Sequence, residues 1–296
     1  MKKIYILSTV LILLYPQYAN AQITSIEEQR DVTQKLPVDN VNFRFIYRTS
    51  FCEDTVGKDR YFDNQALEIG NYSARYYSLF AEDMDSTMWK YRSGRLPSSG
   101  EGVNVKRNLK RNETGEYEDI LIQFEAKEMT VSERFYKKDY EYREPLPSFK
   151  WTITGESSVI LNYICQEALA DFRGRTWRVW FAYDIPLPYG PWKLGGLPGL
   201  IVKAEDTSGL FTYELIGVEQ PQTEKMYQYD MPKIKCKRSD IIRMNDMRWK
   251  NPEALAKMNG ISAFSTYVQD PATGMIKKVN IFEGMRNVCI PQRELE

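Results

Sequence analysis

Arg175-Thr176-Trp177-Arg178-Val179-Trp180-Phe181-Ala182-Tyr183 is the stretch on which the fold turns. Successive side chains of an extended chain point to opposite faces, so Trp177, Val179, Phe181 and Tyr183 share one side, and Arg178, Trp180 and Ala182 the other. Aromatic and β-branched residues at this density suit a central strand, and a period of two argues against an amphipathic helix. Large rings on both sides mean that each face needs cover, from a second layer or around an enclosed cavity. Trp177, Trp180, Phe181 and Tyr183 are therefore the candidate lining of a ligand cavity.

The alternation spreads outward from this strand. Val41, Phe43, Phe45 and Tyr47 alternate with polar residues, and Gln65 to Ile69 pairs across Gly70-Asn71 with Tyr72 to Phe80. Ile120 to Phe124, Met129 to Tyr136, Tyr140 to Tyr142 and Lys150 to Thr154 are further extended pieces. Leu200 to Glu205 and Leu210 to Val218 flank Asp206-Thr207-Ser208-Gly209, a hairpin loop whose glycine suits positive φ. Ser157 to Ala170 carries a mixed signal and reads as a strand or turn leading into a helical turn. Helix signals are fewer: capping-box spacing at Ser25 to Glu28, one or two turns over Glu82 to Lys90, a cap at Ser239, and an Asn251-Pro252 start with a Gly260 stop. Hairpin-length connections and few helices predict the α+β class, mostly antiparallel β, as a curved sheet or half-open barrel packed with a few helices. Residues 22–296 read as one domain, with a flexible loop near 92–118 and a helical part from about 238.

Among 296 residues there is no histidine, and 40 Lys+Arg balance 40 Asp+Glu. Without an imidazole the Ser-His-Asp triad, the Cys-His pair and the HExxH zinc site are excluded. Lys2 and Lys3, the apolar run Ile4 to Tyr15 and Ala19-Asn20-Ala21 have the layout of a secretory signal peptide over 1–21, cleaved after Ala21. Export to the periplasm or cell envelope follows. No cysteine stands at the cleavage point to take a lipid anchor, and the mature chain has no apolar run long enough to span a membrane. Loss of the two lysines leaves a formal charge of −2, which implies no nucleic-acid partner. Cys52, Cys165, Cys236 and Cys289 form no CxxC; in an exported protein an even count reads as disulfides, Cys236 with Cys289 foremost, or for some as buried free thiols.

The most distinctive stretch follows the central strand. Gly190 to Ile201 brings glycines near Lys193, but lacks phosphate-loop spacing and a following helix. Gly196-Leu197-Pro198-Gly199-Leu200-Ile201 reads as a tight turn, with Pro198 setting φ and Gly199 supplying positive φ before the next strand, and is a candidate ligand contact. Carboxylates are the remaining catalytic type: Glu167, Asp171, Asp184 and Glu205 could serve a histidine-free glycan hydrolase, against the plainer reading of surface solvation. Glu82, Asp83 and Asp85 lack the pattern of a calcium loop. Met226, Met231, Met244 and Met247 read as core filler rather than soft-metal ligands, and the charge of Lys106 to Arg111 is offset by Glu113 to Asp119. No catalytic residue, cofactor or metal site is expected, and the chain reads as a non-enzyme.

Gly196 to Ile201 resembles the hexapeptide that names the GLPGLI family of exported Bacteroidota proteins. Leu67 to Gly70 with Ser73 to Ser78, Trp151, Cys165 to Ala168, Phe172 to Arg175, Trp177, Trp180-Phe181, Asp184 to Pro186 and Gly190 to Trp192 are similar to the family's other blocks, from about Val41 to Val218. The basic loop at Lys106 to Arg111 departs from them. The resemblance implies envelope location and association with a TonB-linked outer-membrane receptor, with no assigned activity. A further similarity, to LolA-like lipoprotein carriers, implies a sheltered apolar cavity. The expected function is binding or carrying a hydrophobic or peptide ligand; the alternative is a structural subunit docking on an envelope receptor.

Overall fold

The computed structural model describes residues 34–52, 60–93, 115–136, 138–261, 265–269, 276–280 and 293–294. The Ser25 helix, the signal-like segment, Cys289 and Lys106 to Arg111 lie outside the described residues.

Twelve strands make one sheet from two meanders. The first is β2 (Phe43–Cys52), β3 (Arg60–Ile69), β4 (Ser73–Ser78), β5 (Asp119–Gln123), β6 (Glu128–Phe135) and β7 (Lys138–Pro145). The second is β8 (Thr152–Ile160), β9 (Tyr163–Phe172), β10 (Arg175–Ala182), β11 (Leu200–Asp206) and β12 (Phe211–Glu219). They join where β12 pairs antiparallel with β2, Leu215 opposite Tyr47. Every pairing within the meanders is antiparallel; β14 (Lys233–Lys235) adds to β7 as a parallel edge. The sheet is open, its edge strands β14 and β8 not being bonded to each other. Beside it lie two-stranded sheets of β1 (Lys35–Asn40) with β13 (Lys225–Tyr229), and of β15 (Ser265–Gln269) with β16 (Ile276–Asn280). A mostly antiparallel β fold with few helices is what the alternation required.

Three helices are present among the described residues. The first, α1 (Leu79–Arg92), runs on directly from β4 because Ser78 caps it, its hydroxyl accepting from Ala81 N at 3.2 Å, and it buries Met84 and Met88. In α2 (Arg238–Lys250), Ile241 and Met244 face the core; its cap is Lys237, whose N–H is taken by Asp240, so Ser239 lies inside the helix rather than capping it. The last, α3 (Pro252–Met258), starts as read: the Asn251 side chain accepts from Ala254 N, and Gly260 ends the turn at φ 80°.

Several readings need correction. Ser157 to Ala170 contains no helical turn. It is the β8–β9 hairpin, closed by Leu161 and Asn162 at φ 50° and 66°, the two left-handed residues of a type I′ turn. Trp177, Val179 and Phe181 are fully buried, but the other face of β10 is not a second apolar layer: Trp180 is half-buried, with the Lys203 ammonium 4.9 Å from its ring, and Tyr183 is half-exposed beyond the strand. A long cationic side chain laid over an indole supplies cover without a second layer. Cys52, Cys165 and Cys236 are unpaired thiols. Cys165 sits on β9 opposite Ala182, inside the main apolar cluster, where a small apolar side chain is what the packing takes. Among the described residues no helix is long and apolar enough to cross a membrane.

Candidate functional site

Between β10 and β11 the chain makes a seventeen-residue excursion over the sheet, carrying the Gly190 to Gly199 part of the distinctive stretch. Trp192, Leu194 and Leu197 are buried by it. Two glycines are there for closeness. A Cβ on Gly190 would lie 2.8 Å from Ile201 Cβ, and one on Gly199 only 2.1 Å from the Ala182 carbonyl oxygen. Gly199 is thus required by backbone approach; the positive φ expected of it belongs to Gly196, at 84°. Leu200 and Ile201 enter β11 fully buried, and Ile201 O accepts the Tyr47 hydroxyl at 2.8 Å. Gly195 O accepts Trp151 Nε1 at 2.9 Å. The hexapeptide is accordingly an architectural turn that pins the excursion to β2 and β11.

What the turn positions is its neighbour. Trp192 stands at φ 55°, a conformation a bulky residue holds only when its surroundings fix it, and its ring lies 5.4 Å from Trp177 and 5.7 Å from Phe172. Lys193 follows, its side chain wholly removed from solvent. Its ammonium donates to Tyr142 Oη at 2.7 Å, Glu144 Oε1 at 2.7 Å and Glu294 Oε1 at 2.5 Å. Three donors thus meet three acceptors, the condition for keeping a buried ammonium charged. Glu144 also takes Arg173 at 2.8 Å, and Glu294 takes Arg238 at 2.5 Å. Burial alone would raise the Glu294 carboxyl; Lys193 and Arg238 beside it hold it below its ordinary range.

The adjoining half of the site is acidic. Arg293 Nη2 donates to both carboxylate oxygens of Glu116 at 2.5 Å, and Nη1 to Glu118 at 3.3 Å. Its guanidinium lies 5.4 to 5.8 Å from the rings of Phe211, Tyr213 and Trp192. Burial pushes the Glu118 carboxyl up to about 8, against the pull of Arg293 and Lys193. Glu133, on β6, is raised by burial too, with Arg248 and Asn245 opposing. Asp63 is raised by burial to about 7, although it accepts from Glu116 N, Ser78 Oγ and Gln65 Nε2. Around this seat Arg293 Nε, Arg238 Nη2, Arg173 Nε, Trp192 Nε1 and the Tyr213 hydroxyl are buried without a hydrogen-bond partner among the described residues.

A separate cavity of about 40 Å³ lies beneath α1, lined by Arg75, Tyr77, Glu82, Tyr117, Asp119 and Arg134 among others. Its charges are already paired: Arg75 with Glu82 and Asp119, Arg134 with Asp85 and Asp139. That volume suits a few water molecules rather than an organic ligand. Glu82 and Asp85 are ion-pair partners, and no group of three metal-ligating side chains occurs among the described residues. The remaining carboxylates do not converge on a cleft. Glu167 takes Thr154 Oγ1 at 3.0 Å and faces Arg178 at 3.5 Å, Glu205 faces the same Arg178 at 3.5 Å, and Asp171 takes Thr176 Oγ1. Met226 and Met244 are buried filler as read, and Met247 packs on the core.

The residues brought together are Lys193, Tyr142, Glu144, Glu116 and Glu118 around Arg293-Glu294; sequence noted Lys193 only as a charge near glycines and Glu116 and Glu118 only as an offset to the basic loop, and marked none of them as a site residue. A lysine inside a glycine-rich turn was the available signal, since a charge there must meet counter-charge once the turn packs.

The fold and its interior define a class, an antiparallel β protein whose core encloses a network of ion pairs around Arg293 and Glu294. No family model matches the chain, and no curated protein matches it. Two solved structures of PNGF-II, in space groups C2 and P21, are similar at 16% and 14% identity, with TM-scores of 0.42 and 0.44. They cover 70% and 72% of this chain and 32% and 34% of their own, so the chain spans about a third of the structures it matches. At such scores the likeness bears on no activity.

Proposed function

We propose that this is an exported, non-enzymatic binding protein of the cell envelope, which takes a peptide ligand beside a TonB-linked outer-membrane receptor. The single observation that supports the peptide reading is the interior seat, which accommodates two consecutive charged residues, Arg293 and Glu294, with partners on each. The apolar interior is filled by Trp177, Trp192, Tyr47, Tyr213 and Phe181, which favours a peptide over a hydrophobic cargo. A curved, half-open sheet is part of this proposal. β7 and β8 stand ten inter-strand steps apart in the order, about 48 Å if flat at ~4.8 Å each. Residues 146–151, which join them, reach about 25 Å at most. Native mass spectrometry of the protein recovered from its own envelope tests the function: a bound peptide mass supports it, and a ligand-free protein counts against it.

A second reading, a structural subunit docking on an envelope receptor, is favoured by the outer edge of β8. Val159 and Ile164 are 70% and 69% exposed at the tip of the β8–β9 hairpin, with Ile153 and Leu161 half-exposed nearby. Exposed apolar residues on an unpaired strand edge are a template for strand addition. Crosslinking in intact cells separates the two, since docking requires one stoichiometric protein crosslinked through this hairpin.

A further inference from the structure

The seat is dipolar before its occupant is counted. On one side Glu116 and Glu118 face inward beside three aromatic rings; on the other Lys193, Arg238 and Arg173 outnumber Glu144. Emptied, the first side would hold two half-buried carboxyl groups with no guanidinium, and the second the fully buried Lys193 ammonium and two half-buried guanidiniums against a single carboxylate. Either is a strongly disfavoured state in a protein interior. The site therefore demands an occupant that offers a guanidinium to the acidic side and a carboxylate to the basic side, from adjacent residues of one chain.

Resting on the peptide-binding reading, we propose that the seat is a recognition site for an Arg-Glu segment of a peptide, and that residues 293–294 are its competitor in cis. Two features beyond charge support an external ligand. Arg293 places Nη2 on Glu116 and Nη1 on Glu118 with rings flanking the guanidinium, and one planar fork set on two acidic side chains is a geometry that lysine does not reproduce. In addition, Trp192 Nε1, Arg238 Nη2 and the Tyr213 hydroxyl stay unpartnered around the seated pair among the described residues, donors that a longer peptide's carbonyls can use. Order matters as well: exchanging the two residues sets each charge against its like.

The probe is a fluorescent hexapeptide with the sequence of residues 291–296, read by anisotropy against the full chain and against its Arg293→Ala/Glu294→Ala variant. The variant is expected to bind it at least about tenfold more tightly than the unaltered chain, which holds its own segment in place. Peptides with Arg or Glu replaced by Ala, or with the two exchanged, are expected to bind the variant at least about tenfold more weakly. Equal binding of the exchanged peptide overturns the Arg-Glu assignment while leaving peptide binding intact; a folded variant that binds no peptide overturns both. If the variant does not fold, amide exchange on the unaltered chain decides: excess free hexapeptide must speed exchange at 293–294 while β11 stays protected. Unchanged exchange overturns the proposal.

Discussion

Replacing Lys193 by Met keeps most of the stem's bulk and removes a charge that no solvent reaches. Removing one partner of a buried ion pair costs about 3–5 kcal/mol, because the other is left uncompensated. Here the abandoned carboxylates are not wholly alone: Glu144 keeps Arg173 at 2.8 Å, and Glu294 keeps Arg238 at 2.5 Å. The lower end of the range applies, about 3 kcal/mol. Urea unfolding followed by tryptophan fluorescence reads it as a lower midpoint at unchanged slope. In the Lys193→Met/Glu294→Gln double variant the orphaned charge is gone, and part of the loss is expected to return, with a coupling of about 1–3 kcal/mol. The acid side has a definite sign. Glu294 is held below its ordinary 4.5, so the stability it contributes is present above that value and is lost as the pH falls through its lowered folded value. Lys193→Met should flatten that acid loss. A destabilisation under about 1 kcal/mol, or additive losses in the double variant, would refute a charged, buried Lys193.

Gly199→Ala should cost at least about 1–3 kcal/mol by thermal unfolding, since its Cβ must displace the Ala182 carbonyl; an unchanged midpoint would show that β10 and β11 yield there. Asp63→Asn should remove a pH dependence. With the folded carboxyl raised from 3.8 to about 7, stability is greatest below 3.8 and falls as the pH rises through 7, by about 3 kcal/mol between pH 5 and 8 at ~1.4 kcal/mol per tenfold. The same slope in variant and parent, measured by urea midpoints, defeats this account. Leu161→Asn should stabilise by about 0.5–1 kcal/mol, because Leu161 occupies a left-handed turn position that suits Asn; a lower denaturation midpoint contradicts the turn assignment.

The strands were legible wherever one face is buried and the other wet. β2, β6, β10 and β12 follow alternation that sequence displays, β5 and the start of β11 are short apolar runs buried on both faces, and Gly209 and Gly260 take the positive φ their turns require. The β8–β9 hairpin was misread because Val159 and Ile164 are apolar without being core and, with Ile160, mimic a helical face, while Leu161 is an unusual turn residue. Gly199 was assigned the wrong reason, because a Pro-Gly pair looks the same whether the glycine is needed for its φ or for space. The ionic seat left little trace. Lys193 and Glu294 are 101 residues apart, and a charge bound for the interior is indistinguishable in sequence from one bound for solvent.

The seam between β2 and β12 sets the order in which this chain can fold. Each meander is built from neighbours along the chain and can close as its hairpins emerge, whereas Arg44 meets Glu219, a residue 175 positions further along the chain. Long-range pairing of this kind is slow, since the loop must close before any contact rewards it. Until then β2 and β12 each present an unpaired strand edge, neither of which is an edge in the finished sheet. Those two edges make the unfinished sheet, rather than the finished one, the species open to pairing with a second chain.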